Sequence, residues 1–271
     1  MRTATGTAAG RVDGDQIVEL DATDLRDWLE REAAGIATAE TGRVVDRVGA
    51  DLAPLIPRPR KILCVGLNYR NHILEMGREL PTAPTLFAKF DRALIGPNDD
   101  ILLPPESDEV DWEVELTVVI GRTVRRVRVD QAPSAIAGYT VANDISMRDW
   151  QRRTVEWLQG KTFESSTPVG PELVTSDELD PSNLEVTCEV DGQLMQQSRT
   201  SELVFSPAEL VAYASTIVTL DPGDLILTGT PGGVGSARTP AIFLQPGAQV
   251  RTTVEGIGSL LNTCRRESLD G

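Results

Sequence analysis

The chain has 271 residues and a formal net charge of −15, from 26 Lys and Arg against 41 Asp and Glu. Its 40% hydrophobic and 25% charged residues are those of a globular protein, which argues against disorder and allows one large core or a main domain with an appendage. The acidic balance argues against nucleic-acid backbone and anionic membrane as partners, and an anionic substrate would need local positive charge to dock.

Three cysteines, Cys64, Cys188 and Cys264, lie far apart without metal-ligand spacing and read as small buried hydrophobes of a reduced protein. Met1 to Gly10 carries no apolar signal region, and no later stretch has the length of a membrane span, so the expectation is a soluble, cytoplasmic protein. Residues 1–59 form a small N-terminal unit. Arg11 to Leu20 predicts a hairpin turning at Asp13-Gly14, and Asp21 to Ala34 a helix with Asp24 as N-cap. Pro54, Pro57 and Pro59, with Arg58, Arg60 and Lys61, read as a linker.

From residue 60 onward short apolar runs dominate: Lys61–Leu67, Thr85–Lys89, Leu116–Ile120, Ala137–Val141, Leu184–Val190, Asp224–Thr228 and Gln249–Val254. Strands at this spacing, with Pro207 to Thr219 as the clearest helix, predict a β-rich α+β fold over residues 60–271. His72 is the only histidine and heads a helix-like stretch after the first of these strands. Glu75 shares its helical face, so the pair fits an oriented general base or, more plainly, a surface histidine beside a glutamate.

The segment Val110-Asp111-Trp112-Glu113-Val114-Glu115-Leu116 alternates as a strand that puts Trp112, Val114 and Leu116 on one face and Glu113 and Glu115 on the other. Two carboxylates about 6–7 Å apart beside a core repel each other unless a cation lies between them or that face meets water. The strand Gly138 to Ser146 delivers Asp144 as a third carboxylate. Three hard oxygen donors suit Mg²⁺, Mn²⁺ or Ca²⁺ and suit zinc poorly. Arg148 follows closely and suits a substrate carboxylate, or a surface ion pair with Asp149. Lys161, between Gly160 and an apolar–aromatic stretch, is placed to stabilise an oxyanion or enolate if it faces a site. The glycine-rich Thr228 to Gly235 lacks the order of a P-loop or dinucleotide fingerprint, and would bring backbone N–H groups and Thr230 near a small ligand.

Seven ordered blocks carry a resemblance to the fumarylacetoacetate hydrolase family: Gly66–Glu75, Pro84–Lys89, Asp111–Gly121, Gly138–Gln151, Gly160–Phe163, Pro222–Gly235 and Gly256–Asn262. The resemblance implies a β-sandwich roll with a small N-terminal α/β domain, acylpyruvase- or dienedioate-isomerase-like, and usually homodimeric. It implies Glu113, Glu115 and Asp144 as Mg²⁺ or Mn²⁺ ligands, His72 and Glu75 as an acid–base dyad on a lid helix, and Lys161 as the catalytic lysine. Arg148, Gln151 and Thr230 match positions that hold substrate oxygens, and Lys89 and Tyr69, in the same motifs, join them as substrate contacts. Trp150 departs from an expected aliphatic residue, Glu164 stands where the family often has Asp, and Ala248 replaces an expected acidic residue. The expected chemistry is hydrolysis of an acylpyruvate such as fumarylpyruvate. The alternatives are decarboxylation of a 2-oxo acid such as oxaloacetate, isomerisation of a 2-hydroxy-dienedioate, and a non-catalytic ligand-binding homologue.

Overall fold

The computed structural model describes residues 1–75 and 79–268, and the side chains of His72 and Glu75 lie outside the described set. In the N-terminal unit Gly10–Asp13 pairs antiparallel with Gln16–Leu20, and Gly14 turns the hairpin at φ +58°. Glu40–Asp46 adds a third strand. The Leu25–Ala33 helix starts where the Asp24 side chain accepts from the Asp27 N–H, a bond that satisfies one of the free donors at a helix start. Leu29, on the inner face of that helix, is buried with Ile56, Ile62, Cys64 and Phe87.

The expected linker is therefore packed. Ile56 is fully buried, the Leu55 N–H donates to the Val169 carbonyl, and the Lys61 ammonium sits 3.0 Å from Asp221 and 2.8 Å from Asp224. A stretch of prolines reads as a spacer because it lacks periodicity, yet each residue can still seat an apolar side chain.

The main body is two packed sheets. One has seven strands in the order Thr85–Lys89, Ile62–Gly66, Leu225–Leu227, Val114–Ile120, Ile136–Asn143, Thr167–Thr175 and Leu94–Ile95. It is mixed: Leu225–Leu227 runs parallel to Ile62–Gly66, while Val114–Ile120 is antiparallel to both its neighbours. The second sheet orders Gln193–Arg199, Glu185–Val190, Gln249–Val254, Gly258–Arg266 and Ile101–Leu103. The strands around Val114–Ile120 pack face to face on this second sheet, giving the predicted β-rich sandwich. Asp191 and Gly192 turn its first hairpin with φ of +50° and +74°, the left-handed pair that matches strand twist.

Alternation along the central strand holds. Trp112, Val114, Leu116, Val118 and Ile120 enter the core between the sheets, and Val119 enters the smaller cluster under the N-terminal unit. The Pro207–Ile217 helix begins at a capping box formed by Ser206 and Glu209, and buries Leu210, Val211 and Ala214. Among the described residues no helix is long and apolar enough to cross a membrane, and the three cysteines are free and buried.

Candidate metal centre and active site

The predicted continuous strand breaks at Trp112 and Glu113, leaving Val110–Asp111 and Val114–Ile120 as separate strands. At the break backbone groups are satisfied from the side. The Glu113 N–H donates to Asn143 Oδ1 at 2.9 Å, the Val114 N–H to Gln196 Oε1 at 3.0 Å, and the Trp112 N–H to its neighbour Asp111 at 2.8 Å. The kink turns Glu113 toward Glu115 and Asp144. One carboxylate oxygen from each of the three lies within 4.8 Å of the others.

All three carboxylates are buried, so the water-facing reading of the alternating strand is excluded. Burial pushes the Glu115 carboxyl well above its ordinary range, and the charges of Asp144 and Glu113 push it further, against partial relief from Lys161 and the Gly229 N–H. Asp144 goes the other way: burial would raise it, but the Lys161 and Lys89 ammoniums outweigh burial and hold it below the ordinary value. The site thus gathers more negative charge than its side chains neutralise. Among the described residues the group that could hold an ion is made of hard oxygens, which lie within 4.8 Å of one another, close enough to share a cation at the 2.0–2.6 Å ligand distance of Mg²⁺ or Ca²⁺. A divalent cation fits this set, and a soft-metal site does not.

Lys161 ends the short Leu158–Lys161 helix and is buried, with Nζ 2.8 Å from Glu113 Oε2 and 2.8 Å from Asp144 Oδ2. Burial alone would lower its ammonium; the two carboxylates reverse that, and its pKa is raised. It is a fixed positive charge held against two carboxylates of the triad. Gly160 makes the placement possible, since a Cβ there would lie 2.4 Å from the Gln151 nitrogen and 2.5 Å from the Met147 carbonyl.

The expected substrate contacts are more varied. Lys89 Nζ is committed to Asp144 Oδ1 at 2.5 Å and to the Ile145 carbonyl at 3.3 Å. Arg148, expected to present its fork to a substrate carboxylate, gives Nε to Asp111 at 2.8 Å and Nη1 to Glu113 at 2.7 Å and Gln151 at 2.9 Å. Burial works against the guanidinium, but Glu113 and Asp111 keep its pKa raised. It is not the surface partner of Asp149, which accepts from Ser107 instead. Thr230 donates to the Val114 carbonyl and accepts from Gln196. Trp150 stacks edge-on to Phe163 with its indole N–H on the Glu106 carbonyl.

Tyr69 is 1% exposed and its hydroxyl has no hydrogen-bond partner among the described residues. Burial first, then the charge of Glu115, raises its pKa. With Asn71, Met195, Gln197, Ser198 and Pro231–Gly233 it lines a cavity of about 330 Å³. The Arg70–Glu75 helix that carries His72 and Glu75 starts at this cavity's wall; the dyad's side chains lie outside the described residues. The sequence reading missed two residues. Asp111 is fully buried and binds Arg148, and its signal was an aspartate inside an apolar run. Gln196 crosses from the other sheet to the kink, in a strand whose polar neighbours hide it.

A buried carboxylate triad at the ends of two central strands of a β-sandwich, met by two ammoniums, fits a metal-dependent enzyme. The chain belongs to the fumarylacetoacetate hydrolase family, whose profile, described as fumarylacetoacetate (FAA) hydrolase C-terminal, matches residues 61–265. It is 50% identical over 214 residues to oxaloacetate tautomerase FAHD2B, mitochondrial, of Bos taurus, covering 78% of this chain and 68% of that one. It is 41% identical over 263 residues to the human oxaloacetate tautomerase FAHD2A, mitochondrial, covering 92% and 84%. Among solved structures it resembles 5-carboxymethyl-2-hydroxymuconate delta-isomerase from Mycobacterium smegmatis, with TM-score 0.81 and 37% identity over 96% of this chain and 94% of that one. Fumarylacetoacetate hydrolase from Exiguobacterium antarcticum superposes with TM-score 0.85 at 28% identity, covering 98% of each chain.

Proposed function

We propose that this protein interconverts the keto and enol forms of a small 2-oxo dicarboxylate of the oxaloacetate type. The observation that carries the reading is the buried Lys161 ammonium, fixed on Glu113 and Asp144 of the triad, in a chain 50% identical over 214 residues to a protein named oxaloacetate tautomerase. Glu113, Glu115 and Asp144 would hold the divalent cation, which when bound supplies Lewis-acid charge for a 2-oxo acid head. Tautomerisation moves one proton from C3 to the C2 oxygen and breaks no bond between heavy atoms. Lys161, charged and desolvated, stabilises the oxygen as it becomes an enolate. Lys89 holds Asp144 in place, and the proton at C3 falls to His72, oriented by Glu75.

Hydrolysis of an acylpyruvate, the expectation from sequence, is a second reading supported by the hydrolase among the structural neighbours. It needs the same enolate and also an attacking water, so it depends on the His72–Glu75 dyad throughout.

The test follows enol absorbance and proton NMR of oxaloacetate with Mn²⁺ and with EDTA. Faster enol–keto equilibration with no change of composition, lost in EDTA, is expected. Pyruvate and CO₂ as products would replace the reading by decarboxylation. Pyruvate and acetate from acetylpyruvate, abolished in His72→Ala, would replace it by hydrolysis, and enol decay no faster than in buffer would overturn it.

A further inference from the structure

One loop touches one glutamate of the triad directly and is linked to the other through two side chains. At its start the Gly229 N–H donates to Glu115 Oε2 at 2.6 Å. At its end the Gly235 N–H reaches Asp111 Oδ1 at 2.7 Å and the Ser236 N–H reaches Asp111 Oδ2 at 2.9 Å. Asp111 Oδ2 also accepts from Arg148 Nε, and Arg148 Nη1 binds Glu113 Oε1. Between these anchors Gly232 and Gly233 line the 330 Å³ cavity. The fit is tight, because a Cβ on Gly235 would lie 2.0 Å from the Ile242 carbonyl and 2.9 Å from Asp111 Oδ1.

We infer that Asp111 is a positioning residue for the metal centre, acting through Arg148 on Glu113 and fixing the same loop that forms the cavity wall. Its carboxylate is fully buried and takes four donors, the Trp112, Gly235 and Ser236 N–H groups and the Arg148 guanidinium. That set leaves it no free lone pair for substrate. Without it, Arg148 would carry an uncompensated charge and could swing off Glu113, and the loop would lose its C-terminal anchor. Cation binding and the shape of the cavity are then set by one side chain that touches neither.

This rests on the triad being a cation site, which the first measurement checks by itself: Mn²⁺ titrated into the metal-free protein by calorimetry. No Mn²⁺ binding in the unaltered chain removes the cation-site reading. Given binding, Asp111→Asn keeps the volume but opposes its amide to the Arg148 Nε and Ser236 donors. Mn²⁺ affinity should fall 10- to 100-fold, the usual cost of losing a group that orients a ligand. Arg148→Gln should give a similar fall, and the double variant little more than either alone, because both act through Glu113. Additive losses would mean a general structural effect and would overturn the relay. Unchanged affinity in a folded Arg148→Gln would overturn it also, and this variant decides the matter if Asp111→Asn does not fold.

Discussion

Lys161 holds two buried carboxylates and, in the proposed reaction, would also stabilise the enolate. Its ammonium offsets two buried carboxylates, so replacing it by Met leaves Glu113 and Asp144 facing each other without it. Breaking a buried pair from one side costs about 3–5 kcal/mol, and removing one stabiliser of a developing oxyanion costs about 10²–10³ in kcat. Lys161→Met should therefore lower the melting temperature of the metal-free protein, and Mn²⁺ should restore part of that loss while kcat stays low. A variant with full kcat would remove Lys161 from the chemistry. The E-x-E spacing, Asp144 and Lys161 were legible in the sequence because each is a charge in an apolar setting. Lys89 on Asp144, 55 positions apart, was not legible as a carboxylate partner, since nothing local distinguishes it from a lysine that meets substrate.

At the scale of elements, the short helices Arg148–Gln151 and Leu158–Lys161 cross at Gly160 with no room for a methyl group. Gly160→Ala must push the second helix off the first, because the atoms it meets are backbone. The expected result is a kcat loss of at least about tenfold, a 1.4 kcal/mol change in barrier. Circular dichroism should stay close to that of the unaltered protein while the unfolding transition moves lower, since the overlap is with backbone; wild-type kcat would show that the crossing does not set Lys161. The strands themselves were read well: Thr85–Lys89 and Gln249–Val254 match to the residue. The break at Trp112–Glu113 was not, since it is made by Asn143 and by Gln196 from the opposite sheet, and period-two alternation passes through it unchanged.

For the whole molecule, the question is whether residues 1–59 stand apart from the catalytic body. Leu29 and Ile56 share a cluster with Ile62, Cys64 and Phe87 of the main sheet, and Arg47 pairs with Glu172 across the junction at 2.9 Å. Ile56 is fully buried, so Ile56→Ala should cost about 2–5 kcal/mol through lost burial and the cavity left behind. Urea unfolding should keep a single transition shifted to lower urea. Two transitions, with only the smaller one shifted, would show that the N-terminal unit melts independently. The composition change near residue 59 was visible in sequence, whereas the apolar contacts that bridge it depend on which side of a proline turn each residue faces.

The cavity has two unlike walls. One is the loop from Gly229 to Ser236, bonded at one end to Glu115 of the triad and at the other to Asp111, and the other is Met195, Gln197 and Ser198 on an edge strand with no neighbour on its outer side among the described strands. A substitution in the first wall strains the cation site, while one in the second changes only size and polarity. Substitutions that retune what the cavity accepts should therefore fall on the edge strand, with the loop left nearly untouched.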